Sequence, residues 1–427
     1  MIVQMEHGAV EGVGTPGGAA FKGIPFAAPP RRFHPPEPPE PWTGVRPACE
    51  YGPAAPQPRD PILEELFGQP PFPTAEAGCL TLNVWTPGTS GARPVLVWIH
   101  GGAFITGSGR DPVFDGRQLA TRQDLVVVTL NYRLGALGFL HLGGETGNLG
   151  LLDQVAALRW VRDNIAAFGG DPGNVTLFGQ SAGAMCIAAL LTAPVAAGLF
   201  HKAIVQSGSA EHVHSAERAA AVTSDLVQAL NGADPSAVPA AKLIRAQQAV
   251  AEAMRAGGEG LGLPFAPVVD GAVLPEVPLN ALAAGAGIPL LLGSTREEER
   301  LFTGALPAPE AARLADELFH GPADRLAAAH SGPVWRYLFG WGSPTLGACH
   351  SMDLPFVFGN LDSARRFTGP GAPRELADAM GAAWASFARD GVPGWSAYTP
   401  DDKLTMVFDT VSSVVADPER QTLEGNR

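Results

Sequence analysis

The chain has 427 residues, 46% of them hydrophobic, with 52 Gly, 40 Pro and a formal charge of −13 at pH 7. That length exceeds the roughly 250 to 300 residues at which one core usually stops growing, so it requires either two domains or one large sheet carrying insertions. The acidic balance, with no basic stripe, argues against a nucleic-acid partner, and no run reaches the roughly 18 apolar residues needed to cross a bilayer.

The first residues, Met1 to His7, lack the basic-then-apolar pattern of a secretory leader, and a cytoplasmic protein is expected. Gly12-Val13-Gly14-Thr15-Pro16-Gly17 spells G-x-G-x-x-G, yet no helix follows it and no acid stands at the expected later position. It reads as a hairpin turn and not as a dinucleotide site. Proline is dense from Pro25 to Pro73, but no linker composition, charge block or repeat divides the chain, which favours one large domain. Cys49, Cys79, Cys186 and Cys349 lack the close pairing of a zinc site and are too few for a disulfide framework, so free thiols are expected, with Cys186 a buried small hydrophobe.

Strand-like apolar runs follow at Val95 to Ile99, Leu125 to Leu130, Val175 to Phe178 and Ala203 to Val205. Between the second and third, Leu151, Val155, Leu158, Val161, Ile165 and Phe168 recur at steps of three and four, which predicts a helix with one face on the sheet. Ser215 to Ala256 is Ala-rich and helical in character, a cover over the sheet. Pro289 to Gly293 and Val334 to Phe339 supply later strands, and Glu375 to Arg389 a late helix. Such alternation predicts an α/β fold with a mostly parallel central sheet.

The chemistry begins at Gly179-Gln180-Ser181-Ala182-Gly183, which follows the Val175 run and opens into the apolar stretch Ala184 to Leu191. A serine placed where a strand turns sharply into a helix is a nucleophile elbow. The flanking glycines let the turn tighten, and the first amides of the helix point at any negative charge that develops beside Ser181. Upstream, His100-Gly101-Gly102-Ala103-Phe104 ends a strand in small residues whose amides can face an oxyanion, with His100 itself read as structural.

A serine needs a base within reach and a third group to orient that base. The strand from Pro289 runs into Glu297-Glu298-Glu299, and one of these three glutamates is a candidate orienter, although such a run is more often a solvated turn. Ten histidines compete for the base. His350 stands out because it immediately precedes Asp353 to Gly359, an apolar segment able to anchor it.

With these residues in view the chain resembles the type-B carboxylesterases, the cholinesterase-related branch of the α/β-hydrolases, and among them the bacterial para-nitrobenzyl-esterase-like members. The resemblance runs almost end to end: Gly23 to Ala27, Cys79 to Trp85, the His100 loop, Asn131 to Arg133, Gly147 to Gln154, Phe168 to Pro172, the elbow, Gln206 to Ser209, and His350 to Gly359. It implies an α/β-hydrolase fold in a single catalytic domain over 1–427, with helical cover insertions around 211–288 and 300–332. It also implies Ser181 as nucleophile, Glu298 as acid, His350 as base, and the amides of Gly102, Ala103 and Ala182 as oxyanion hole. Ser207 would bond near the triad, and Asp353 would help hold the loop carrying His350. No metal and no organic cofactor are expected.

The activity so implied is hydrolysis of small-molecule carboxylic esters through an acyl-enzyme on Ser181, by a monomer or weak homo-oligomer with no nucleic-acid or membrane partner. Cleavage of carbamates or amides by the same triad is an alternative, and a catalytically silent binding module on this fold is a further one. Choline esters are disfavoured, because Phe67 to Cys79 contains no tryptophan to bind a quaternary ammonium. Three departures from the family stand out. Glu299 replaces the usual glycine after the acid. Ala77-Gly78 replaces the acidic pair before Cys79, so a family salt bridge near the N-terminus is expected to be absent. Only 52 positions separate Glu298 from His350, which predicts a shortened cover and a more open pocket mouth suited to bulky or aromatic esters.

Overall fold

The computed structural model describes residues 1–59, 61–68, 71–143, 147–258, 262–304 and 306–418. Among them, runs rich in Val, Ile, Leu and aromatic residues form one sheet of eleven strands: β1 (Val13–Thr15), β2 (Gly18–Pro25), β3 (Thr81–Thr86), β4 (Arg93–Ile99), β5 (Val126–Leu130), β6 (Gly170–Gln180), β7 (Lys202–Gln206), β8 (Leu290–Thr295), β9 (Val334–Phe339), β10 (Leu404–Phe408) and β11 (Ser413–Ala416). Across the sheet the order is β11-β10-β9-β8-β7-β6-β4-β5-β3-β2-β1. The central pairings from β5 to β10 are parallel, and the antiparallel pairs lie towards the two edges.

Parallel strands are covered on both faces, and the side chains here divide accordingly. Val95, Val97 and Ile99 of β4 join one core, whereas Leu96 and Trp98 join another. The first core packs against α1 (Leu149–Asn164) and α2 (Ala182–Leu190), whose nine residues are all buried. The second packs against α8 (Leu354–Phe358) and α9 (Arg374–Asp390). Two long amphipathic helices, α3 (Ala216–Ala229) and α4 (Ala240–Ala256), follow β7. After β8 come α5 (Arg300–Thr303), α6 (Ala308–Ala315), a π-helical turn at Asp316–His320, and α7 (Gly321–Ala329).

Several sequence expectations are met closely. The Pro16-Gly17 corner is a hairpin turn between β1 and β2, with Thr15 paired to Gly18 and Gly17 at φ +82°. The helix read through Phe168 instead ends at Asn164 and tightens into a 3-10 turn over Ile165–Phe168, closed by Gly169 at φ 78°. All four cysteines are free, and Cys186 is buried. Beside the replaced acidic pair, an ion pair near the N-terminus is nevertheless formed. Glu76, just upstream of the Ala77-Gly78 replacement, accepts from the Arg32 guanidinium, with Nε at 2.6 Å from Oε2. No helix among the described residues is long and apolar enough to cross a membrane.

The chain order places β5 on one side of β4 and β6 on the other, so the order in which strands are added reverses between the parallel strands β4 and β6. Ligands of open α/β sheets bind at such a point, outside the carboxyl ends of the strands. Next to it, Arg133 and Asp153 form a buried pair that ties the end of β5 to α1. Asp153 accepts from Arg133 Nε (2.8 Å), Arg133 Nη2 (2.7 Å) and the Arg133 backbone N–H (3.0 Å). Asp153→Ala leaves a buried guanidinium without its partner and should destabilise the fold by about 3–5 kcal/mol, measured by urea unfolding.

Candidate active site

Register brings the site together. Ile99 pairs with Gly179, Gln180 with Gln206, Gln206 with Gly293, and Thr295 with Phe339. The carboxyl ends of β4, β6, β7 and β8 therefore lie side by side, and the residues just beyond them converge: Gly101 to Ala103, Ser181, Ser207 and Glu298.

Ser181 has φ 55° and ψ −126°, a conformation that L-residues seldom adopt, and its backbone N–H donates to Gln206 O at 2.9 Å. The turn closes because Gly183 has no side chain; a Cβ there would come within 2.0 Å of Ile99 O. Strain of this kind persists only where the surroundings over-determine it. The neighbouring loop is strained as well, with Gly102, Ala103 and Phe104 at φ 110°, 53° and 62°. Its shape is held by Gly102 O, which accepts from the amides of Ile105 (3.0 Å) and Thr106 (2.9 Å). Among the described residues, the amides of Gly102, Ala103 and Ala182 find no backbone acceptor. His100 is fully structural in its setting: it stacks on Tyr132 at 4.5 Å, its Nδ1 meets Gly101 O at 2.8 Å, and burial lowers its pKa to about 4.

The three glutamates separate cleanly. Glu298 is completely buried, and one of its carboxylate oxygens is bonded to His350 Nδ1. The other accepts from Ser207 Oγ at 2.5 Å and from the Thr295 amide at 2.7 Å. Burial by itself raises the pKa of such a carboxyl; the His350 charge and the bonds from His350, Ser207 and Thr295 outweigh it and hold the group below the ordinary carboxylate range. Glu297 instead serves the loop before the histidine, accepting from the Ala348 amide at 2.8 Å and from Arg300 Nη1 at 2.6 Å. Glu299 lies at φ −66°, an ordinary helical value, so the turn makes no demand for glycine at that position.

Behind the histidine loop a second buried acid, Asp353, accepts from Gln206 Nε2 and from Tyr337 Oη, both at 2.8 Å. Trp384 Nε1 in turn donates to Gln206 Oε1 at 3.1 Å. On the solvent side, Phe302 and Phe319 lie 5.1 and 4.9 Å from the His350 ring. Phe319 is buried in the π-helical turn, whereas Phe302 is 52% exposed.

Ser181 and His350 line one pocket of about 400 Å³. Its walls are largely apolar, with Phe67, Phe72, Phe114, Leu301, Phe302 and Leu354, and Arg59 and Glu64 form an ion pair on its lining. The expected contact between nucleophile and base is not made. His350 Nε2 lies 2.8 Å from Gln180 Nε2, and among the described residues no hydrogen bond joins it to Ser181 Oγ. Serine–base contacts of this type often tighten only in a substrate complex. Sequence reasoning overlooked Gln180, Phe302, Phe319, Gln206 and Tyr337. The first is the variable position of the elbow motif, Gln206 was read only as part of the stretch Gln206 to Ser209, and Phe302, Phe319 and Tyr337 carry no local signature.

A sequence profile described as the carboxylesterase family matches residues 1–313. The chain belongs to the carboxylesterase family. It is 40% identical to the para-nitrobenzyl esterase of Bacillus subtilis, with 98% of this chain and 97% of that protein covered. A probable N-octanoylanthranilate hydrolase of Rhodococcus erythropolis is 38% identical, with coverage of 90% and 92%. A solved structure of a PNB esterase superposes with a TM-score of 0.90 at 39% identity and covers 99% of each chain. The fold is therefore that of the α/β-hydrolases, and this family member is a carboxylic ester hydrolase.

The environment of Asp353 has a consequence for stability. Burial raises its pKa from 3.8 to about 6, against the bonds from Tyr337 and Gln206 and with Glu298 adding to the rise. The folded protein thus keeps this proton longer than the unfolded chain does. The stability so contributed is complete below the unfolded pKa and is lost as pH rises through the folded one. Asp353→Asn should remove that dependence: the wild-type minus variant unfolding free energy should fall by up to roughly 3 kcal/mol between pH 3.8 and about 6. Urea unfolding at stepped pH measures it.

Proposed function

We propose that the chain is a serine carboxylesterase in which Ser181, His350 and Glu298 act as nucleophile, base and acid. The observation that carries this reading is the fully buried Glu298 bonded to His350 Nδ1 at the sheet edge where Ser181 sits on its elbow. Ser181 attacks the ester carbonyl as His350 takes its proton, and Glu298 stabilises the imidazolium. The amides of Gly102, Ala103 and Ala182 receive the developing oxyanion, each worth about 3 kcal/mol of barrier. His350 then protonates the leaving alcohol. Water repeats the sequence on the acyl-enzyme and releases the acid.

In this reading the chain works as a single catalytic unit, with the helices of 211–288 and 300–332 as its cover. All the groups invoked come from one copy, so a monomer suffices. The apolar pocket favours neutral, bulky or aromatic esters, in keeping with the para-nitrobenzyl esterase relative. Cleavage of an amide or carbamate by the same groups is a second reading, favoured by the relative named for N-octanoylanthranilate.

Para-nitrophenyl esters of increasing acyl length test the proposal. Ser181→Ala should lower kcat by at least about 10⁴-fold and abolish stoichiometric organophosphate labelling, and Glu298→Gln should lower it by about 10³- to 10⁴-fold. Full turnover by Ser181→Ala would overturn the assignment. Parallel assays on para-nitroanilides of the same acyl groups separate the ester reading from the amide one.

A further inference from the structure

With Nδ1–H of His350 committed to the Glu298 carboxylate, the neutral ring carries its lone pair on Nε2. Ser181 needs that lone pair to lose its proton, yet the group that meets it is the Gln180 carboxamide nitrogen, at 2.8 Å. The amide can be placed only with its N–H towards the ring, because the reverse would set a carbonyl lone pair against the imidazole lone pair. Gln180 is 3% exposed, and its carboxamide is wedged beside Gly101, where a Cβ would stand 2.9 Å from Gln180 Oε1. It is thus a fixed donor and not a surface side chain in passing contact.

We propose that Gln180 is a positioning residue: in the resting enzyme it donates to Nε2 of His350, holds the base in its Nδ1–H tautomer, and yields that nitrogen to Ser181 Oγ when substrate binds. This rests on the serine-esterase reading above. A donor to the lone pair favours the neutral ring over the imidazolium, so its removal should make the ring easier to protonate. The titratable groups that act on the ring are Glu298 from the turn after β8 and Asp353 from the start of α8. From the cover, Phe302 and Phe319 present only uncharged rings.

The experiment compares wild type with Gln180→Met, which keeps the length and removes the donor, and Gln180→Glu, which places a carboxylate there. Organophosphate labelling of Ser181 in all three reports that the site is assembled. The acid limb of kcat/KM should move to higher pH by about half to one unit in Gln180→Met and further in Gln180→Glu. In ¹⁵N-histidine-labelled enzyme, the His350 Nε2 resonance should be that of a hydrogen-bonded nitrogen in wild type and move towards the free-lone-pair position in Gln180→Met. An unmoved limb in Gln180→Met would overturn the proposal even if Gln180→Glu shifts, since that would be a bare charge effect. A wild-type Nε2 resonance of a free lone pair would overturn it without any variant. Wild type that takes no label on Ser181 would overturn the reading on which the proposal rests, and so the two failures are distinguishable.

Discussion

The arrangement depends on one ionised carboxylate with no exposure to water. Burying a charge costs several kcal/mol unless donors replace its hydration. Glu298 finds them on separate stretches of chain: Ser207 beyond β7, the Thr295 amide at the end of β8, and His350 eleven residues past β9. Each lies within bonding distance only because β7, β8 and β9 are in parallel register and end together. A slip of one residue in any of these strands would strand the charge. The sheet is in this sense the device that makes the carboxylate tolerable, and the carboxylate fixes the ring proposed as base.

Much of this was legible before any coordinates. The strands from Val95, Leu125, Val175, Ala203, Pro289 and Val334 announce themselves because buried parallel strands are continuous apolar runs, and the elbow is legible because its two glycines flank a serine between a strand and a helix. The choice among Glu297, Glu298 and Glu299 was different. No local property of three consecutive acids says which points inward; that follows from the turn beyond Thr295, which sends Glu298 into the core, Glu297 to the Ala348 amide and Arg300, and Glu299 to the first turn of α5. Family resemblance supplied the register that residue chemistry could not. Gln206 and Tyr337 were harder still, because the network they form with Asp353 joins positions up to 147 residues apart.

The departures from the family pattern have physical answers. A glycine after the acid is needed only if the turn there requires positive φ, and Glu299 sits at −66°. Just upstream of the acidic pair lost before Cys79, Glu76 accepts from the Arg32 guanidinium. The short stretch between Glu298 and His350 is bridged by α5, α6 and α7 with a π-helical turn between the last two. Such a turn is rare and costs hydrogen-bond geometry. It brings Phe319 against the His350 ring and sets His320 Nε2 2.9 Å from Thr295 O, so the compressed cover still packs on the histidine loop and on the end of β8.

Backbone strain is concentrated at the same place. Of the ten described non-glycine residues with positive φ, Ala103, Phe104, Ser181, Ser207 and Ser351 all lie at strand ends or loops around the pocket. Each such conformation costs on the order of 1–3 kcal/mol and survives only where neighbouring contacts leave no alternative. Those contacts are visible: Ser181 N–H on Gln206 O, Ser207 N–H on Gly293 O, and Gly183 pressed on Ile99 O. A polypeptide relaxed at these positions would let the Ser181 hydroxyl and the loop amides drift apart by rotations about single bonds. Held by the sheet, they require little reorganisation when charge develops, and beside a largely apolar pocket that pre-organisation acts directly on a barrier. The geometry that makes the strand ends costly to fold is therefore the same geometry that suits them to the acyl transfer proposed for them.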